Sequence, residues 1–200
     1  MMNNTVSTTQ EKSSIVNEKN KISQALALHD RFVEHFAEHS FLQLNNGQCG
    51  YVADAIAKAF NKMEIHYEIA IACYKDDEHL IQNCVEDWKN LQQVPQSVRD
   101  NLNILPACTI LHVYVKLPNE TLLDCYNQID DELKTEMIDD YGYFLVDIPH
   151  ELFNEWLVKL NWNQMNKLSK EDINNYIYMP VELITKDFIK NQENNKRLNQ

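Results

Sequence analysis

Residues that break helices or make tight turns are scarce in this chain, with three glycines and five prolines among 200 residues. That scarcity points to a helix-rich architecture with few tight turns. A basic surplus is also missing: 18 Lys and Arg face 30 Asp and Glu, for a net charge of −12. Nucleic acid and anionic membrane surfaces are therefore not expected partners, because both need a basic patch. No apolar run approaches the roughly 20 residues that span a bilayer. The five cysteines, at 49, 73, 84, 108 and 125, are odd in number and include no CxxC pair. Neither a disulfide framework nor a zinc site is indicated. A reducing, cytoplasmic setting is the expectation, or delivery into a host cell without a classical signal, since the polar N-terminus carries no apolar signal core. There is no phosphate loop, dinucleotide fingerprint or G-x-S-x-G, so no cofactor is implied.

What the chain does contain is one stretch of ordered patterning between polar ends. Residues 1–20 and 191–200 have disordered-tail compositions, leaving 21–190 as a single domain. Apolar residues at Ile22, Leu26, Phe32, Val33 and Phe36 have helical period. A stronger helix follows from Gly47–Cys49 to about Lys62, with Val52, Ala55, Ile56, Ala59, Phe60 and Met63 on one face. EIHYEIAIACY (64–74), CTILHVYVKL (108–117), TLLDCY (121–126) and YGYFLVDI (141–148) read as strands. The acidic stretch 129–140 reads as helix or loop. Residues 76–91, 151–160 and 169–190 read as helices, the last interrupted before Pro180. The order predicts an α+β fold with N-terminal helices packed on a mostly antiparallel sheet and a helical C-terminus.

Cys49 opens the strongest helix, and Gly47 and Gly50 beside it are two of the chain's three glycines. The thiolate is the reactive form of cysteine, and the unpaired N–H groups and dipole of a helix start favour it. The alternative is packing: Cys49 stands three residues before Val52 and seven before Ile56, so it also extends the apolar stripe.

The 108–117 strand places His112 in mid-strand, with Ile110, Tyr114 and Lys116 on its face and Thr109, Leu111, Val113, Val115 and Leu117 on the other. The next strand carries Asp124. A hairpin loop of three or five residues around Pro118 would pair His112 directly with Asp124 on one face, and an even loop would separate them. Nucleophilic thiol chemistry needs a thiol, an imidazole to take its proton and a third group to orient the imidazole. Cys49 as nucleophile, His112 as base and Asp124 as orienter fit those roles.

GQCGYVADAIAKAF resembles the Gly-Gln-Cys start of the transglutaminase active-site helix, and HVYVKLPNETLLDCY resembles the His strand, turn and Asp strand of the papain-like superfamily. The resemblance covers residues 41–126. It implies a papain-like or transglutaminase-like fold and a Cys-His-Asp triad acting on a protein or peptide, by hydrolysis, deamidation or acyl transfer. Gln43, six residues before Cys49, has the spacing of the papain-type oxyanion glutamine, and Gln48 is a second oxyanion candidate. A silent papain-like scaffold serving as a protein-binding or effector module is the alternative; polar ends and acidic charge suit a bacterial or phage accessory protein. The sequence specifies no oligomeric state.

His35 and His39 are spaced i, i+4, with His29 six residues back. No partner with ligand spacing joins them, so no metal is assigned. Trp88, Trp156 and Trp162 read as packing residues.

Overall fold

A computed structural model describes residues 5–38, 48–99, 104–130, 132–135, 142–160 and 168–198. Helix α1 (Thr5–Glu38) and helix α2 (Cys49–Lys62) come first. They are followed by β1 (Glu68–Tyr74), α3 (Glu78–Leu91), the short α4 (Gln96–Arg99), β2 (His112–Lys116), β3 (Leu122–Leu123), β4 (Gln128–Ile129) and β5 (Tyr143–Ile148). Helices α5 (His150–Lys159), α6 (Lys170–Ile173) and α7 (Met179–Leu198) close the chain. The strands form one open antiparallel sheet in the order β4-β3-β2-β1-β5. This is an α+β arrangement with a helical C-terminus.

β1 lies inside the sheet and is buried along its five interior residues, consistent with its unbroken Ile-Ala-Ile-Ala-Cys run. One face carries the main core, where Ile69, Ile71, Val113, Val115, Val146 and Ile148 meet the apolar stripe of α2 and the aromatic residues Phe32, Phe60 and Trp156. The other carries a smaller cluster of Ala70, Ala72, Tyr114, Leu122 and Ile129, flanked by Leu111 and Leu145. On that second face Lys116 is nearly buried and reaches Asp147 Oδ2 at 2.6 Å and Glu68 Oε2 at 2.8 Å. Burial works against its charge, but the two carboxylates outweigh burial and hold the ammonium protonated.

Helices reach into both polar ends of the chain. Residues 5–20 form the first half of α1, and α7 continues through residue 198. The side chains of residues 14–20 are exposed, so no core orders them. Absence of glycine and proline throughout 5–38 removes the usual interruptions, and backbone propensity permits the helix to run on.

Within 108–117, only His112–Lys116 is a strand. Alternation fails before it: Leu111 packs with Tyr114 and Ala72, while Ile110 joins the main core, the reverse of the strict two-residue reading. The Gln128–Ile129 strand is an addition to the four expected, and residues 132–135 form a single helical turn.

The expected break before Pro180 takes the form of a π-turn over Asn174–Tyr178 joining α6 to α7. Proline has no N–H and its ring crowds the carbonyl four residues back, so a wider turn just before it relieves the clash. Tyr178, the last residue of that turn, donates its hydroxyl to the buried Asp54 of α2 at 2.6 Å, and Lys58 Nζ donates to the same oxygen at 2.6 Å. Tyr178→Phe is expected to lower the unfolding free energy by about 1–3 kcal/mol, because a buried carboxylate loses one of its donors. A drop in the denaturant midpoint with an unchanged slope would report it.

Candidate functional site

Cys49 is the first residue of α2, as its spacing predicts. Val52 N donates to the Gln48 carbonyl at 3.1 Å, closing the first turn, and Gln48 makes no side-chain cap bond. Cys49 is only 7% exposed and Gln48 is fully buried. Gln43 lies outside the described residues. All five cysteines are free thiols.

His112 opens β2 and is paired across the ladder with Ala72 of β1. From β2 the chain turns through Pro118, Asn119 and Glu120: Leu117 N donates to Thr121 O and Glu120 N to Leu117 O, each at 2.9 Å. Glu120 takes φ +65°, the left-handed position of a three-residue hairpin. The loop is therefore odd, and His112 and Asp124 share a parity. Direct pairing does not follow, however. The loop centres on Asn119, the register runs Val115↔Leu123 and Lys116↔Leu122, and its extension sets Asp124 across from Tyr114.

The contact is restored by a turn. After Leu123 the chain leaves the ladder, and Asp124 Oδ1 accepts the N–H groups of Tyr126 and Asn127, both at 2.7 Å. This turn, formed by an aspartate side chain over its own backbone, frees the second oxygen. Oδ2 then lies 3.2 Å from His112 Nε2, an ion-pair contact that is not aligned as a hydrogen bond. The His112 ring also tilts against Tyr114, with centroids 4.5 Å apart.

Electrostatics bind the three residues together. Burial is the largest influence on His112 and opposes its charge, but contacts with the Asp124 carboxylate and then the Cys49 thiol outweigh it and raise the pKa from 6.5 to about 9. For Asp124, burial raises the pKa, yet His112 and the Tyr126 and Asn127 amides hold it below its ordinary value. At neutral pH the pair is imidazolium and carboxylate, with the Cys49 sulfur beside the cation. Burial, aided by Asp124, pushes the neighbouring Cys125 thiol up, so Cys125 stays protonated.

His29 of α1 is a site neighbour that spacing alone did not single out. It is fully buried, and its Nε2 lies 2.6 Å from the Asp124 carbonyl oxygen. The available signal was its place on the core face of α1, one turn after Ala25 and beside Leu28 and Phe32. His39 lies outside the described residues. Among the described residues, no cluster of three or more His, Cys, Asp or Glu could hold a metal ion. No described helix is long and apolar enough to cross a membrane.

A groove of about 460 Å³ runs between α2 and the C-terminal helices, lined by Ala55, Lys58, Ala59, Tyr178, Val181 and Glu182 among others. It includes none of Cys49, His112 and Asp124, so it does not mark the place where thiol chemistry could occur. No family model, curated protein or solved structure matches the chain.

Proposed function

We propose that the chain is a papain-like or transglutaminase-like protein performing thiol-dependent acyl transfer or hydrolysis on a protein or peptide. The observation that carries this reading is His112 Nε2 3.2 Å from the Asp124 carboxylate, with Cys49 of α2 near enough to help raise the His112 pKa. In the reaction, the Cys49 thiolate attacks the carbonyl carbon of an amide, forming the S–C bond. His112, carrying the thiol's proton as imidazolium, gives it to the departing nitrogen as the C–N bond breaks, leaving a thioester. His112, now neutral, takes a proton from the incoming water or amine. Attack of that group on the thioester releases the Cys49 sulfur. Asp124 keeps the ring oriented and stabilises its positive form.

The test is the rate of iodoacetamide labelling of Cys49 against pH in wild type and His112→Ala, with sites read by mass spectrometry. Cys49 is expected to outpace Cys73, Cys84, Cys108 and Cys125 below pH 7, and to lose that lead in His112→Ala. Turnover of any substrate found should fall by about 10²–10⁴ in the same variant, the usual weight of a general base. Labelling of Cys49 no faster than its four companions sinks the proposal.

A second reading rests on the 7% exposure of Cys49. A thiol so covered suits a scaffold in which the three residues stabilise the junction of α2 with β2 and the protein acts by binding. The same labelling experiment separates the two.

A further inference from the structure

We propose that His29 is a positioning residue of the Cys49–His112–Asp124 site, pinning the Asp124 main chain from α1 so that the carboxylate faces His112. The inference rests on the catalytic reading for its consequence, and on geometry for its content. A carbonyl oxygen can only accept, so the 2.6 Å contact from His29 Nε2 to Asp124 O fixes the proton on Nε2. Nδ1 of the neutral ring is then a bare acceptor, and it is buried with no hydrogen-bond partner among the described residues. A ring with one unsatisfied nitrogen, on a helix face shared with Ala25, Leu28, Phe32 and Phe36, is costlier there than a leucine would be. The bond to Asp124 is what the histidine supplies at that position.

Asp124 needs such an anchor. β3 ends at Leu123, so the Asp124 carbonyl has left the ladder of β2 and β3. Its Oδ1 is held by two amides of the following turn, and its carbonyl by His29, 95 residues away in sequence. Together with the Asp124 N–H, which donates to Asn127 O at 3.2 Å, those bonds hold both ends of the residue and leave Oδ2 3.2 Å from His112 Nε2. Burial, the largest influence, pushes His29 below its ordinary value despite the nearby Asp124 and Asp30, so the ring is neutral where His112 is charged. The two histidines thus play opposite parts on one aspartate.

Three variants separate a specific bond from general packing. His29→Gln places an amide N–H at the reach of Nε2; His29→Asn keeps polarity but is too short; His29→Leu keeps bulk and removes the donor. The primary readout is the His112 ring titration by NMR, with circular dichroism confirming that each variant is folded. In wild type and His29→Gln, His112 is expected to titrate alike. In His29→Asn and His29→Leu its pKa is expected to fall by about one unit, the low end of a carboxylate neighbour's influence. An unchanged titration in whichever of the Asn and Leu variants folds overturns the proposal, as does a Gln variant that behaves like Leu. Iodoacetamide labelling of Cys49 in the same samples answers a separate question. Slow labelling in wild type defeats the acyl-transfer reading, while the His112 titration still decides the role of His29.

Discussion

Asp124→Ala is expected to destabilise the fold by about 3–5 kcal/mol, the range for breaking a buried pair by removing one partner, and to lower the His112 pKa from about 9. Both effects come from the same carboxylate by different oxygens. Oδ1 serves the turn, and its loss strands the amides of Tyr126 and Asn127. Oδ2 serves His112, and without it the Cys49 sulfur is left to oppose desolvation of a ring whose side chain is only 13% exposed. Asp124→Asn separates the two contributions, since its amide oxygen can still accept from the turn while the charge is gone. Stability is then expected to recover in part, and the His112 pKa to remain low. Denaturant titration and histidine NMR on the two variants together measure the comparison. If His112 keeps its high pKa in both, the carboxylate is not what charges it, and the site has been misassigned.

The second large effect is the dependence of stability on pH. His112 is raised from 6.5 to about 9 on folding. The folded state therefore binds the proton more tightly than the unfolded chain, and protonation favours folding. That contribution is complete below pH 6.5 and is lost as pH rises towards 9. A difference of this size corresponds to about 3 kcal/mol at about 1.4 kcal/mol per pH unit. Two neighbours act with the opposite sign on the acid side. The lowered pKa of Asp124 contributes stability that is present above its ordinary 3.8 and disappears as pH falls through the folded value. His29, also lowered, stabilises above 6.5 and loses that contribution as pH falls through its own folded value. The buried thiols Cys73, Cys84 and Cys125 and the half-buried Cys108 are raised above 9.0, so their destabilising effect begins only near that point. Urea unfolding of wild type between pH 6.5 and 9 is expected to show the fall of about 3 kcal/mol, and His112→Gln to flatten it. A slope that survives in His112→Gln would assign the proton elsewhere.

Much of the candidate site could be read from the chain because its parts are local. The start of α2 at Cys49 follows from the glycines at 47 and 50 in the sequence and an apolar stripe at i, i+3, i+4 and i+7, which needs no tertiary partner to specify it. The shared parity of His112 and Asp124 follows from an odd hairpin loop, and the period of two in a strand converts parity into facing. What parity cannot convey is the centre of the loop. A shift of one residue, from Pro118 to Asn119, moves the partner by two and sets Asp124 across from Tyr114. The contact with His112 survives only because the Asp124 turn carries Oδ2 back along the strand. At the chain ends polarity signals the lack of a core, and a run without glycine or proline can be helical without one.

The sequence alone determined the α+β order of elements and the helix that begins at Cys49, because periodicity and turn chemistry act over a few residues, and it left the shared side of His112 and Asp124 conditional on an odd hairpin loop. Only the tertiary structure decided that His29 of α1 meets the Asp124 carbonyl, that Tyr178 reaches Asp54, and that Asp124 and Cys49 charge one buried histidine while burial keeps another neutral. These depend on which distant surfaces are pressed together and how much water they exclude, and desolvation and the pairing of buried polar groups are set by that enclosure rather than by spacing along the chain.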